Sequence, residues 1–322
     1  MNEFERIEKF FKPLARGHQG ALGLRDDAAL LDVPEGCEMV VSADMSVEGV
    51  HFRKEDEPGN VACKTLRVNL SDMAAKGAKP LGYFLSLCWP ERLGESGMKV
   101  FAEGLARDGD VFDIPLLGGD LTAGEQFTVA VTVLGTVAKG SMPLRSNAEA
   151  GDDIYVSGTI GDSALGLLLL EGRQGALSTQ ERDYLHQRYF LPVPRLELGQ
   201  ALVGSISASI DVSDGLLGDL EHVCKTSGVG ARIREADIPL SPAAEKMLAG
   251  DDSLIERILT GGDDYELLFC AKPSKRAAID RIGSVSGVPV ARIGETAENN
   301  DIILIRPDGS ETIPATKSFR HF

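Results

Sequence analysis

Cysteine is scarce in this 322-residue chain: there are five, at Cys37, Cys63, Cys88, Cys224 and Cys270. No two lie close enough in sequence to suggest a metal clip or a redox pair. Residues 1–15 mix charges with phenylalanines at helical spacing instead of forming a leader-like apolar stretch. Together with the odd cysteine count, that sets the expectation of reduced thiols in the cytoplasm. Cys63, Cys88, Cys224 and Cys270 have apolar neighbours and are expected in the core. Positive charge is also in short supply. Lys and Arg number 33 against 49 Asp and Glu, for a net charge of −16, and the basic residues are scattered. Wrapping a nucleic acid or an anionic membrane needs a concentrated basic patch, so neither is an expected partner. Long apolar runs are missing too. The longest, ALGLLLL at 164–170 with its glycine counted, is too short to span a bilayer. Finally, there is no GxxxxGK[ST] loop and no HRD or DFG motif, which excludes P-loop proteins and protein kinases.

What is present is an alternation of strand and helix patterns from end to end, the mark of an α/β protein. CEMVVSADM, GYFLSLCW and QFTVAVTVLGTV read as strands, the last with the clean alternation of a half-exposed sheet. NVACKTLRVNLSDMAAKGA and ESGMKVFAEGLARDG read as helices between them. SMPLRSNAEAGDD then breaks the pattern, and DIYVSGTIGDSALGLLLL starts a new strand-and-helix unit. A domain boundary is expected near residue 148, giving domains 1–148 and 149–322. In the second half, helices are expected over 175–190, 195–203 and 215–227. SISAS, ARIREADI, DYELLFCA and VARIGET read as strands.

The stretch IDVSDGL, residues 210–216, stands at one of these strand-to-helix junctions, where α/β proteins usually hold ligands. Its Asp211 and Asp214 have counterparts elsewhere: Asp26 and Asp27 after GLR, Asp44 in VVSADM, Asp72 in NLSDMAAKG, and Asp120 ending LLGGD. Each is embedded among small or apolar residues, unlike the acids of a solvated face. If several converge, two carboxylates at ~4 Å repel by roughly 4 kcal/mol at an effective dielectric of 20, and the cluster needs cations. All-oxygen ligands favour a hard ion, Mg²⁺ before Zn²⁺, and Mg²⁺ typically shares its coordination with substrate phosphates. A second reading stays open for each acid, because Asp is also a favoured helix cap and turn former. Asp214 before Gly215, or Asp120 after Gly118 and Gly119, fits that description as well.

Phosphate has three further candidate anchors. The glycine backbone of LLGGD can approach it closely. Arg145 offers a guanidinium fork. GTIGDSALG, at 158–166, is the weakest, since its glycines suit a tight turn without any ligand.

Taken together, LRDDAALL, VSADMSVEGVHF, NLSDMAAKGAKP, LLGGD, LRSNAEAGDDIYVSGTIGDSALGL, IDVSDGL, GGDDYELLF and the terminal FRHF resemble the thiamine-monophosphate kinases of the PurM-like superfamily, nearly end to end and in the family's order. The resemblance implies a two-domain PurM-like α/β fold whose N-terminal sheets pair in a homodimer. It implies an ATP-dependent enzyme converting thiamine monophosphate to thiamine diphosphate. It also implies several Mg²⁺ ions, held by Asp27, Ser42, Asp44, Asp72, Asp120, Asp211 and Asp214. Asp72, Asp120 and Asp211 would be the catalytic acids among them. Nucleotide contacts would come from Gly119, Asp120, Arg145 and Ser213, and substrate contacts from His51, Asp263 and Phe319. Three positions depart from the family pattern: Ala43 replaces a hydroxyl residue, Asp263 a glutamate, and Phe319 a tryptophan or tyrosine. Two other readings stand beside this one. One is a different ATP-dependent PurM-like enzyme, such as a selenophosphate synthetase, although the cysteine expected near its N-terminus is absent. The other is a non-catalytic nucleotide- or metal-binding relative.

Overall fold

The computed structural model describes residues 1–315. The chain forms two compact units, one of residues 1–73 and 78–140, the other of 74–77 and 141 onward. Both mix helices with β-sheet.

The first unit contains a short helix α1 (Glu3–Arg6), β1 (Cys37–Val47), α2 (Pro58–Ala75, its last residues counting with the second unit), β2 (Lys79–Trp89), α3 (Gly94–Phe112), β3 (Leu116–Ala123) and β4 (Thr128–Ala138). Its four-stranded sheet runs β1-β4-β2-β3, with only β2 and β3 parallel. The alternation of β4 puts Val129, Val131 and Val133 on a buried face, beside Tyr83, Leu85, Leu87 and Trp89 of β2. Trp89 meets Phe101 of α3 edge to face with centroids 5.8 Å apart, and Phe127 packs against both. The opposite face is open. Val41 and Met45 on β1 are 58% and 57% exposed, and Ala43 between them is exposed as well. Cys88 faces this side and is only half-buried, because its register partner Thr128 belongs to the open face; the expectation that it lies in the core does not hold.

The second unit contains β5 (Asp153–Ser157), α4 (Asp162–Leu170), α5 (Thr179–Phe190), α6 (Leu196–Leu202), β6 (Ala208–Asp211), α7 (Leu216–Ser227), β7 (Gly230–Arg234), α8 (Pro242–Gly250), α9 (Leu254–Thr260), β8 (Leu267–Ala271), α10 (Arg276–Ser286), β9 (Val290–Ala297), β10 (Ile302–Ile305) and β11 (Glu311–Thr312). The seven-stranded sheet has the order β11-β10-β7-β9-β5-β8-β6. Its centre is covered on both faces, which is why β8 reads LLFCA without alternation. Leu268 and Cys270 point into one core with Ile154, Ile210 and Leu220, whereas Leu267, Phe269 and Ala271 point into another with Tyr155, Leu198 and Leu202.

Local chemistry moves several boundaries from their expected places. Ser178 and Glu181 form a reciprocal capping box, so the helix expected from 175 starts at Thr179. The strand expected in SISAS runs Ala208–Asp211 instead, carrying the first acid of IDVSDGL on its last residue. LLGGD is not a turn but part of β3. Among the described residues, no helix is long and apolar enough to cross a membrane.

On β5, the buried Asp153 carboxylate accepts hydrogen bonds from Arg276 (Nε 2.7 Å, Nη2 2.7 Å) and Arg292 (Nη1 2.8 Å). The Arg276 hydrogen bond, seconded by Arg292, holds the carboxyl below its usual range. A depressed carboxyl stabilises the fold above its unfolded value and loses that contribution as acid protonates the folded form. Asp153→Asn is therefore expected to cost about 1.5–3 kcal/mol at neutral pH. Urea titrations of both proteins at several pH values should show the difference shrinking below about pH 4.

Candidate functional site

Asp27, Gly119 and Asp120 line one cavity of about 340 Å³ in the first unit. The N-terminal segment supplies Ile7, Phe11, Ala21, Leu24, Asp26 and Ala28 besides Asp27, and β2 and β3 supply the rest. A chain of 3₁₀ turns over Gln19–Leu24 carries the acids there, and the Asp27 amide donates to Asp26 Oδ1 at 2.8 Å. Glycine is required at 119. A Cβ built there would stand 1.8 Å from the Leu85 carbonyl oxygen, so any side chain would part β3 from β2. The cavity thus combines apolar walls with bare backbone and carboxylates, a composition suited to a ligand that is part aromatic and part anionic with its counter-ions.

A second group lies on the helix-facing side of the same sheet. Ser42 Oγ donates to Asp72 Oδ2 at 2.5 Å, and the Asp44 amide donates to Asn69 Oδ1 at 3.2 Å. Asp72 is in the last turn of α2, which holds no basic residue. That is the negative end of the helix dipole, where an anion is disfavoured unless a cation accompanies it. Strand register separates this group from Asp120. Asp44, Val131, Leu85 and Gly119 share one face, whereas Asp120 pairs with Ser86 on the open face. His51 closes the end of β1: its Nδ1 accepts from the Val47 amide at 3.1 Å and its own amide donates to the Val47 carbonyl at 2.9 Å.

In the second unit, IDVSDGL lies against GGDDYELLF. The Asp263 amide donates to the Ser213 carbonyl (2.9 Å) and the Tyr265 amide to the Val212 carbonyl (2.8 Å). Gly262 permits this approach, since a Cβ there would meet the Ser213 carbonyl at 2.2 Å. Asp211 is buried, and Ser213, Asp214 and Asp263 are half-buried. Asp214 does not cap α7, whose N-cap is Gly215 without a side-chain bond. Instead Asp219, inside the helix, accepts from the Ser213 and Asp214 amides at 2.9 and 3.0 Å. Burial, then the neighbouring Asp211, push the Asp219 carboxyl well above the usual range. Arg145 is exposed, with its carbonyl tied to the hydroxyls of Thr226 (3.2 Å) and Ser227 (3.1 Å).

In GTIGDSALG, two of the turn amides are already engaged within the chain: those of Gly161 and Ser163 donate to Asp264. Phe319 lies outside the described residues. Among those described, no three His, Cys, Asp or Glu side chains are gathered as a metal cage.

Sequence reasoning missed Asn69, Asp219 and Glu266, all fully or almost fully buried. A signal existed for Asp219: it interrupts the apolar stripe of Leu216, Leu220 and Val223. Asn69 likewise sits between Leu66 and Leu70. For Glu266 the partners that matter, Arg188 and Arg195, are remote in sequence and could not be inferred.

Residues 25–137 match the AIR synthase related protein N-terminal domain, and residues 149–306 its C-terminal domain. The thiamine-monophosphate kinase of Caulobacter vibrioides is 41% identical over 304 residues, covering 93% of this chain and 85% of that one. The crystal structure of thiamine-monophosphate kinase from Stenotrophomonas maltophilia K279a superposes with a TM-score of 0.85 at 37% identity, over 94% of this chain and 98% of that one. AaThiL complexed with AMPPCP and TMP gives a TM-score of 0.79 at 28% identity, over 100% of this chain and 99% of that one. With two domain matches in order and identity sustained along nearly its whole length, the chain belongs to the AIR synthase related family and, within it, to the thiamine-monophosphate kinases.

Proposed function

We propose that the chain transfers the γ-phosphoryl group of ATP to the phosphate of thiamine monophosphate, yielding ADP and thiamine diphosphate. Kinship over the full length to enzymes of that name carries the reading, together with a relative described in complex with AMPPCP and TMP. The acceptor oxygen is already ionised near neutral pH, so no strong general base is required. The obstacle is repulsion between two polyanions, and the residues answer it by positioning and by supplying carboxylates to a counter-ion. The donor set is all oxygen and includes Asp72 at a helix terminus that disfavours an unaccompanied anion, which suits a hard divalent cation. Asp27, Ser42, Asp44, Asp72, Asp120, Asp211 and Asp214 would hold Mg²⁺. Bound there, Mg²⁺ supplies charge neutralisation and alignment of the phosphates. Gly119 and Asp120 would meet nucleotide phosphates at the cavity of the first unit, with Arg145 and Ser213 contributing from the second. His51, Asp263 and Phe319 would meet the substrate. In this reading residues 1–148 bind nucleotide and pair the subunits, and residues 149–322 complete the site. Transfer is direct, without a phosphoenzyme, and takes place in the cytoplasm.

A homodimer is supported by the open sheet face of Val41, Ala43 and Met45, an apolar strip on an edge strand that a monomer rarely leaves in water. Val41→Asp combined with Met45→Asp should shift the purified chain to monomer in light scattering. A dimer that survives both charges would locate the interface elsewhere.

The activity itself is tested by incubating the chain with ATP, Mg²⁺ and thiamine monophosphate and separating the thiamine phosphates by chromatography. Thiamine diphosphate should accumulate with ADP in equal amounts. Asp72→Asn and Asp211→Asn, each with unchanged circular dichroism, should turn over at least roughly a hundredfold more slowly. Near-normal rates in both variants at saturating Mg²⁺ would refute the role of these acids.

A further inference from the structure

Asp263 and Tyr265 both adopt left-handed backbone conformations, at φ +73° and +52°, although neither is glycine. Such residues persist only where their surroundings over-determine them. The surroundings here are a buried ionic network. Along the segment the side chains alternate: Asp263 and Tyr265 are half-buried, whereas Asp264 and Glu266 are 1% and 0% exposed. The Asp264 carboxylate accepts from the amides of Gly161 (2.7 Å) and Ser163 (3.3 Å) at the start of α4. Glu266 accepts from Ser157 Oγ (2.6 Å), from Arg188 Nη2 (2.8 Å), and from both Nε (2.8 Å) and Nη2 (2.6 Å) of Arg195. Arg188 also donates to the Asp264 carbonyl at 3.2 Å, gripping the segment between its two left-handed residues. Space beneath is filled: a Cβ on Gly158 would stand 2.3 Å from Glu266 Oε1. On the outward side, the Tyr265 hydroxyl donates to Asp263 Oδ1 at 3.1 Å.

We propose that Asp264 and Glu266 are positioning residues. Clamped by Arg188, Arg195 and the α4 amides, they hold Asp263 and Tyr265 in their left-handed conformations and so aim the Asp263 carboxylate and the Tyr265 ring at the cationic ring system of thiamine monophosphate. The proposal rests on the reading above that Asp263 meets the substrate. Without the clamp the segment relaxes, Asp263 loses its bearing, and binding of the thiamine moiety weakens while the nucleotide end is untouched.

Two variants test the clamp in the full chain. Glu266→Gln keeps the shape but removes the charge that both arginines share. Arg195→Lys, at a partly exposed position, keeps the charge and loses the fork, so it serves if Glu266→Gln fails to fold. Both should raise the KM for thiamine monophosphate by roughly tenfold and leave the KM for ATP within about twofold. Asp263→Asn should raise the same KM, and adding Glu266→Gln to it should bring little further change, because the two act on one contact. Independently of turnover, hydrogen exchange at the Asp263 and Tyr265 amides should quicken in Glu266→Gln, with β8 protection retained. Multiplicative effects in the double variant, equal losses for both substrates, or unchanged exchange at these amides would overturn the proposal. If the wild-type chain makes no thiamine diphosphate, the aiming at substrate falls with the reading it rests on, and the exchange alone decides whether the clamp holds the segment.

Discussion

A carboxylate taken out of water must be met by backbone amides, hydroxyls or a cation, because its desolvation otherwise exceeds what packing returns. Much of this chain is arranged around that requirement. Asp153 is met by two arginines. Asp162 is met by the hydroxyls of Thr159, Tyr184 and Ser241 at 2.5–2.8 Å. Asp219 and Asp264 are met by pairs of amides. Asp72 is met on one oxygen by Ser42, at the helix end least hospitable to it. The acids the chain satisfies by itself are structural fixtures.

The same requirement ties the two loops of the second unit together. Asp219 draws the Ser213 and Asp214 amides inward, which turns the carbonyls of the same peptide units toward the neighbouring segment. Those of Val212 and Ser213 then receive the amides of Tyr265 and Asp263. Behind, Glu266 collects two arginines. Burial alone would lower the Arg188 pKa, but Glu266, Asp264 and Asp162 outweigh it and raise the value. Asp264 goes the other way: burial pushes its carboxyl well above the usual range against the pull of the Gly161 amide. The IDVSDGL loop and the GGDDYELLF segment are thereby held by one continuous set of bonds.

Much of this was legible in sequence wherever the signal was local. The alternation of QFTVAVTVLGTV placed β4 and its half-exposed face, and the Leu216–Val223 stripe placed α7 directly after IDVSDGL. Local chemistry misled where two meanings compete. Gly118 and Gly119 look like a turn, but Gly119 is needed because β2 passes too close for a side chain, so LLGGD is strand. Asp214 looks like a cap, yet α7 is capped by Gly215 without a side-chain bond, and the Asp214 amide is itself held by Asp219 from within the helix. Partner identities were out of reach: nothing near Glu266 announces Arg188 and Arg195, 78 and 71 residues away. Facing was also hidden. Asp44 and Asp120 look alike as embedded acids, and only the register through β4 and β2 puts them on opposite sides of one sheet.

That difference in facing bears on how the reaction can be served. If the chemistry needs no base, the rate depends on how firmly two anions are held in line, and firmness comes from elements rather than from single residues. Ser42 and Asp44 ride on an eleven-residue strand, Asp72 on an eighteen-residue helix, and Asp211 on the last position of a buried strand. Asp27, Asp214 and Asp263 lie on loops, but the last two are pinned by amides and glycine contacts to their neighbours. Asp120 alone points to the open face that also carries Val41 and Met45. The acid and the apolar strip are at opposite edges of the sheet, with β4 and β2 between them, so they are separate features of that face.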